Sequence, residues 1–120
     1  MRIVLVDDND VVREALAAVV AAAGHAVVGQ AGHGEEGLRQ ALALRPDVVV
    51  TNWLMPSMDG VETTRQIRVL APDVVVIALT SSGDPTVRDM FLEAGAAACL
   101  DKEDVTALRL ELSEVAQRLP

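Results

Sequence analysis

Asp47-Val-Val-Val-Thr-Asn52-Trp-Leu-Met-Pro-Ser-Met-Asp-Gly60 is the stretch on which the fold turns. Pro46 breaks whatever precedes it. An unbroken β-branched run follows and ends on an amide, and then comes a turn-rich segment. An apolar run without alternation reads as a strand buried on both faces. Residues 2–7 and 73–80 have the same character. Residues 26–31 and the weaker 96–100 complete five strand-like segments. Between them the period changes. Val12, Leu16, Val19, Val20 and Ala23 recur at helical spacing and stop at Gly24. Residues 35–45, 60–71 and 85–94 read as helices ended by Pro46, Pro72 and Gly95. In the last helix Val105, Leu108, Leu112, Val115 and Leu119 share one face. Five strand–helix units in 120 residues imply one α/β domain, residues 1–120, with a parallel sheet covered by helices on both faces.

In such sheets ligands bind beyond the carboxyl ends of the strands, where strand order reverses. Asp7, Asp8, Asn52, Thr80 and Lys102 each lie at or just after such an end, so distant polar residues are expected to converge on one mouth. Paired acids suit Mg²⁺, which takes oxygen ligands and keeps several waters. A lysine and a hydroxyl suit phosphoryl oxygens, where catalysis is mostly positioning and charge neutralisation. A carboxylate at position 52 would complete the metal cage and act as nucleophile. The residue there is Asn52, a poor nucleophile without charge.

Composition removes several function classes. The net charge is −8 and only 2% of residues are aromatic, which argues against nucleic-acid binding by this chain alone. No apolar run approaches the roughly 20 residues of a membrane span. Residues 1–6 are too short, and too soon followed by acids, to be a signal peptide. A single cysteine, Cys99, excludes an internal disulfide and fits a reducing compartment, so a cytoplasmic location is expected.

Taken in order, Val6-Asp-Asp8, Pro46-Asp-Val-Val-Val-Thr-Asn52, Met55-Pro-Ser-Met-Asp-Gly60, Leu79-Thr-Ser81 and Gly95-Ala-Ala-Ala-Cys-Leu-Asp-Lys102 resemble the receiver domain of two-component response regulators over essentially the whole chain. The resemblance implies a flavodoxin-like sheet in strand order 2-1-3-4-5. It implies that Asp7 and Asp8 are the acidic Mg²⁺ pair, that position 52 is the phosphoacceptor, and that the Leu54 backbone carbonyl is a further metal ligand. Thr80 would be the switch hydroxyl with small Ser81 beside it, and Lys102 would pair a phosphoryl oxygen. A histidine kinase would be the upstream partner in the phosphorelay, and the domain would not be an enzyme in its own right. DNA would be reached only through an output domain absent from this chain. Homodimers would form through the fourth helix, fifth strand and fifth helix, a face carrying Arg88, Asp89, Lys102 and Arg109, or through the first and fifth helices. The chain ends after a complete last helix, so it either stands alone or was cut from a longer regulator.

The chain departs from the family pattern at Asn52, at Cys99 where an aromatic switch partner is usual, and at Asp101-Lys-Glu103 where proline often follows the lysine. Lysine followed by an acid is similar to receivers that precede a helix-turn-helix output. Two accounts of Asn52 stay open. One is a block introduced into an intact site, favoured by Asp7, Asp8, Thr80 and Lys102. The other is a native residue of a receiver that switches without phosphate and acts as a protein-interaction module, favoured by Cys99.

Blander readings stand beside these. Asn9 or Asp10 is expected to cap the first helix. Cys99 is expected to be a small buried filler. Trp53 is expected at the mouth, part exposed, and His25 and His33 in surface loops. Leu110 lies off the main apolar face. Two other classes compete. Asp8-Asn-Asp10 resembles the opening of haloacid-dehalogenase phosphatases, with Gly83, Asp84 and Asp89 as a late acidic motif, but Lys102 comes after that motif rather than before it. A flavodoxin-like cofactor carrier needs a phosphate loop after the first strand, which Asp7-Asp-Asn-Asp10 would repel.

Overall fold

A computed structural model describes residues 1–120. The chain alternates strictly: β1 (Arg2–Val6), α1 (Asp10–Ala22), β2 (Ala26–Ala31), α2 (Gly34–Leu44), β3 (Val48–Thr51), α3 (Gly60–Leu70), β4 (Val75–Thr80), α4 (Pro85–Ala94), β5 (Ala98–Asp101) and α5 (Val105–Arg118). The five strands are parallel in order β2-β1-β3-β4-β5. The expected order and the α/β class both hold. The expected ranges 2–7, 47–52 and 73–80 overran the strands. Asp7 and Asn52 fall just past the ladder, Asp47 precedes it, and residues 73–74 form the turn into β4. β5 begins two residues later than the expected 96 and extends to Asp101.

The two-residue period of a strand explains the two layers. Ile3 and Leu5 of β1, Val48 and Val50 of β3, and Ile77 and Leu79 of β4 point to one face. There they meet Leu16 and Val20 of α1 and Leu108, Leu112 and Val115 of α5. Val4, Val6, Val49 and Val76 point to the other face, against Ala41 of α2 and Ile67 of α3. Phe91 and Val87 of α4 close that face at its far end, over Ala78 and Val61. The middle strands are thus buried on both sides, which is why their sequences show no alternation.

Each helix starts on a side chain that satisfies the otherwise unpaired N–H groups of its first turn. Asn9 accepts from Val11 and Val12 N–H, Asp59 from Glu62, Asp84 from Thr86 and Asp104 from Ala107. His33 does the same for α2 through Nδ1 and Glu36 N–H, a cap rather than a free loop residue. His25 is hydrogen-bonded to the Met1 amino group at 2.9 Å. Burial, then the charge of that amino group, lowers its pKa below the usual histidine value. Gly95 ends α4 at φ +108°, in the left-handed region that glycine enters without a Cβ penalty.

Candidate functional site

Sheet register assembles the mouth. Asn52 N–H donates to the Val6 carbonyl at 3.1 Å, which sets residue 52 beside Asp7 at the junction of β1 and β3. Thr80 lies opposite Asp101 in the β4–β5 ladder, and Lys102 N–H donates to the Thr80 carbonyl at 3.0 Å. Asp7, Asn52, Thr80 and Lys102 therefore meet because four strands end at one level. Asp8 joins them through the loop into α1.

Asp7 is 1% exposed. Its Oδ1 accepts from Asn9 N–H at 2.9 Å, and Lys102 Nζ lies 2.7 Å from its Oδ2. That ammonium is in ion-pair contact but is not aligned as a hydrogen-bond donor, so Oδ2 has charge compensation without a directed bond. Thr80 is buried, and its Oγ1 accepts from Ser82 N–H at 3.0 Å. Asn52 Nδ2 donates to Asp8 Oδ1 at 3.1 Å and to the Leu54 carbonyl at 3.2 Å. Its Oδ1 is buried without a partner. An orphaned acceptor of this kind costs about 1–3 kcal/mol. The reversed amide is worse, because Oδ1 would face two acceptors.

A cleft of about 350 Å³ opens on the other side of Asn52, lined by Asn52, Trp53, Leu54, Leu79, Thr80, Ser81, Ser82 and Lys102. Trp53 is half-buried at its edge, as expected, and packs against the α4 cluster. Neither Asp84 nor Asp89 lines the cleft. Asp84 caps α4 and Asp89 is exposed, so the phosphatase-like acidic motif is not assembled. Cys99 is half-buried on β5 against the same α4 cluster rather than fully enclosed. Burial raises its thiol pKa, and Arg88 opposes the shift in part.

The oxygens of Asp8 and Leu54 are of the kind a hard cation such as Mg²⁺ prefers. The atom in contact with both is the Asn52 amide nitrogen, and no group of three His, Cys, Asp or Glu side chains gathers here. As they stand, these residues do not fit Mg²⁺.

Two further residues support the mouth, Arg13 and Gly60, the second of which closes the motif that follows Asn52. Arg13 of α1 donates from Nη1 to the Asp7 carbonyl at 2.7 Å, from Nε to Gln30 Oε1 at 3.1 Å and from Nη2 to Asp10 Oδ1 at 2.7 Å. It ties the acidic loop to both α1 and β2. Gly60 lies so close to the Asn52 carbonyl that a Cβ there would sit 1.8 Å from that oxygen. Its position at the start of α3 was a signal for Gly60. For Arg13 the spacing offered only its i,i+3 pairing with Asp10.

The family profile described as the response regulator receiver domain matches residues 3–112. The response regulator GacA of Pseudomonas viridiflava is 40% identical over 116 residues, covering 92% of this chain and 54% of that protein. The transcriptional regulatory protein LiaR of Bacillus subtilis is 40% identical over 108 residues, covering 89% of this chain and 51% of that protein. The chain thus spans about half the length of these relatives. The signal receiver domain of the putative response regulator NarL from Mycobacterium tuberculosis superposes with a TM-score of 0.91 at 28% identity, covering 98% of this chain and 97% of that one. A matched profile over most of the chain, with strand ends converging as that family's motifs require, means that this chain belongs to the response regulator receiver domain family.

Proposed function

We propose that this chain is a phosphorylation-controlled signalling switch whose acceptor position carries an amide, so that it takes up no phosphoryl group as written. The observation that carries the reading is the central place of residue 52 in the mouth. Its amide contacts Asp8, it lines the cleft together with Thr80 and Lys102, and Lys102 Nζ reaches from that cleft to Asp7. An aspartate at 52 would add the third carboxylate of an Mg²⁺ set with Asp7, Asp8 and the Leu54 carbonyl. Its free oxygen would face a lysine and a hydroxyl suited to phosphoryl oxygens. Bound Mg²⁺ would neutralise charge on those oxygens. Lys102 would have to share itself between Asp7 and the phosphoryl group, and Thr80 would turn its hydroxyl to donate.

The proposed upstream partner is a histidine kinase, and the proposed location of this chain is the cytoplasm; no helix of this chain is long and apolar enough to cross a membrane. Transcriptional output through a DNA-binding domain outside this chain is supported by the likeness to LiaR and by the acid that follows Lys102. The proposed dimer faces are α4–β5–α5, where Arg88, Asp89 and Arg109 are exposed, or α1 with α5. A second reading, a phosphate-independent interaction module, is favoured by the amide hydrogen bonds that complete the site without metal, and by Cys99 in place of an aromatic residue.

Melting curves with and without Mg²⁺ test the site. Asn52→Asp is expected to be less stable than this chain in metal-free buffer. It loses the bond to Asp8 and gains a repulsion of at most roughly 3 kcal/mol, for charges about 5 Å apart at an effective dielectric of about 20. Mg²⁺ is expected to restore that loss in the aspartate form only. Equal or higher metal-free stability for Asn52→Asp would sink the reading of residue 52 as a third carboxylate position.

A further inference from the structure

Asn52 is 7% exposed, and the two ends of its amide are treated unequally. The NH₂ group bridges Asp8 Oδ1 and the Leu54 carbonyl, while Oδ1 is buried without a partner. An amide placed only to fill space would be expected to pair its oxygen. Here the oxygen is sacrificed so that the positive end of the dipole reaches two oxygens, one of them charged. Those two oxygens are among the ones that the reading above assigns to a divalent cation, and the inference rests on that reading.

We propose that the Asn52 amide stands in for the cation. It holds the Asp8 carboxylate and the Leu54 carbonyl together in the metal-free chain, and it has to be withdrawn or turned over before a divalent cation can enter. Charge supports the substitution. With Asn52 the mouth holds Asp7, Asp8 and Lys102, so the NH₂ dipole faces an Asp8 that no lysine or arginine contacts. The consequence runs against ordinary ligand counting. If Asn52 were a metal ligand through Oδ1, truncating it would weaken Mg²⁺ binding. If its NH₂ group blocks the site, truncating it strengthens binding, because a water takes the vacated position and Mg²⁺ retains waters readily.

The experiment is an Mg²⁺ titration of this chain, Asn52→Ala, Asn52→Ser and Asn52→Asp, followed by the emission of Trp53 and by calorimetry. Trp53 is the only tryptophan and lines the same cleft. The alanine variant is expected to bind Mg²⁺ about tenfold tighter than this chain, the worth of one hydrogen bond to a charged group. The aspartate variant is expected to bind tighter still. Equal or weaker binding by Asn52→Ala overturns the inference, and Asn52→Ser supplies the same comparison should the alanine variant not fold. If Asn52→Asp binds and Asn52→Ala does not gain, only the stand-in role falls. If Asn52→Asp also fails to bind, the cation site falls with it. A second readout uses the side-chain NH₂ resonances of Asn52. Asp8→Ala is expected to shift one of them, the proton given to Asp8, toward the value of a solvated amide while the proton given to the Leu54 carbonyl stays bonded, and resonances that do not move contradict the bridge.

Discussion

Gly60→Ala is expected to destabilise the fold by about 3 kcal/mol, at the upper end of what overpacking costs. The new Cβ would lie 1.8 Å from the Asn52 carbonyl oxygen and 2.9 Å from its carbon, with the Phe91 ring 3.1 Å away. The first two are backbone atoms of the strand end that carries the site. Phe91 is fully buried and cannot step aside. Gly60 N–H also donates to the Trp53 carbonyl at 2.6 Å, so α3 cannot back away without breaking that bond. The strain thus falls on residue 52 itself. Urea unfolding monitored by circular dichroism should show a lower midpoint with an unchanged slope. In the Asn52→Asp background the same substitution should weaken Mg²⁺ binding. A stability loss under about 1 kcal/mol would mean that α3 and the strand end are not locked together.

Lys102→Met carries the second large effect. Asp7 is 1% exposed, and Lys102 Nζ at 2.7 Å is the basic group in contact with its carboxylate. Removing one member of a buried pair leaves an uncompensated charge, which typically costs 3–5 kcal/mol. Because the Lys102 side chain is 19% exposed and water can follow it, about 2–3 kcal/mol is expected. The double variant Lys102→Met with Asp7→Asn should recover most of that loss, since it removes the orphaned charge with its partner. Thermal unfolding of the two single variants and the double one measures the coupling. Additive losses would show that the ion pair contributes nothing specific and that Lys102 acts only through its stem.

Much of this architecture is written in local pattern. β1, β3 and β4 are legible because both their faces are buried, so their sequences are continuous apolar runs. Helices α1 and α5 are legible from helical spacing, and Leu110, off the apolar face, is indeed exposed. β5 was misplaced because it is an edge strand, half-buried at Ala98, Cys99 and Leu100, and its alanine-rich start has no strong preference. The convergence of Asp7, Asn52, Thr80 and Lys102 followed from topology alone, since strand ends must meet. What the mouth does with them was not legible. The direction of the Asn52 amide depends on which acceptors surround it. The pairing of Lys102 with Asp7, rather than with an incoming anion, depends on the distance across the sheet. Arg13 is legible only as the i,i+3 partner of Asp10; its contacts with the Asp7 carbonyl and with Gln30 leave no spacing signature.

Intact mass after incubation with acetyl phosphate and Mg²⁺, on this chain and on Asn52→Asp side by side, tests the account most directly. The expected result is a gain of one phosphoryl mass by Asn52→Asp and none by this chain. That outcome would leave Asp7, Asp8, Thr80 and Lys102 as working machinery with residue 52 as the single block. A gain by this chain would contradict the block. No gain by either form would contradict the switch itself, and the phosphate-independent interaction module would then be the better account of the domain.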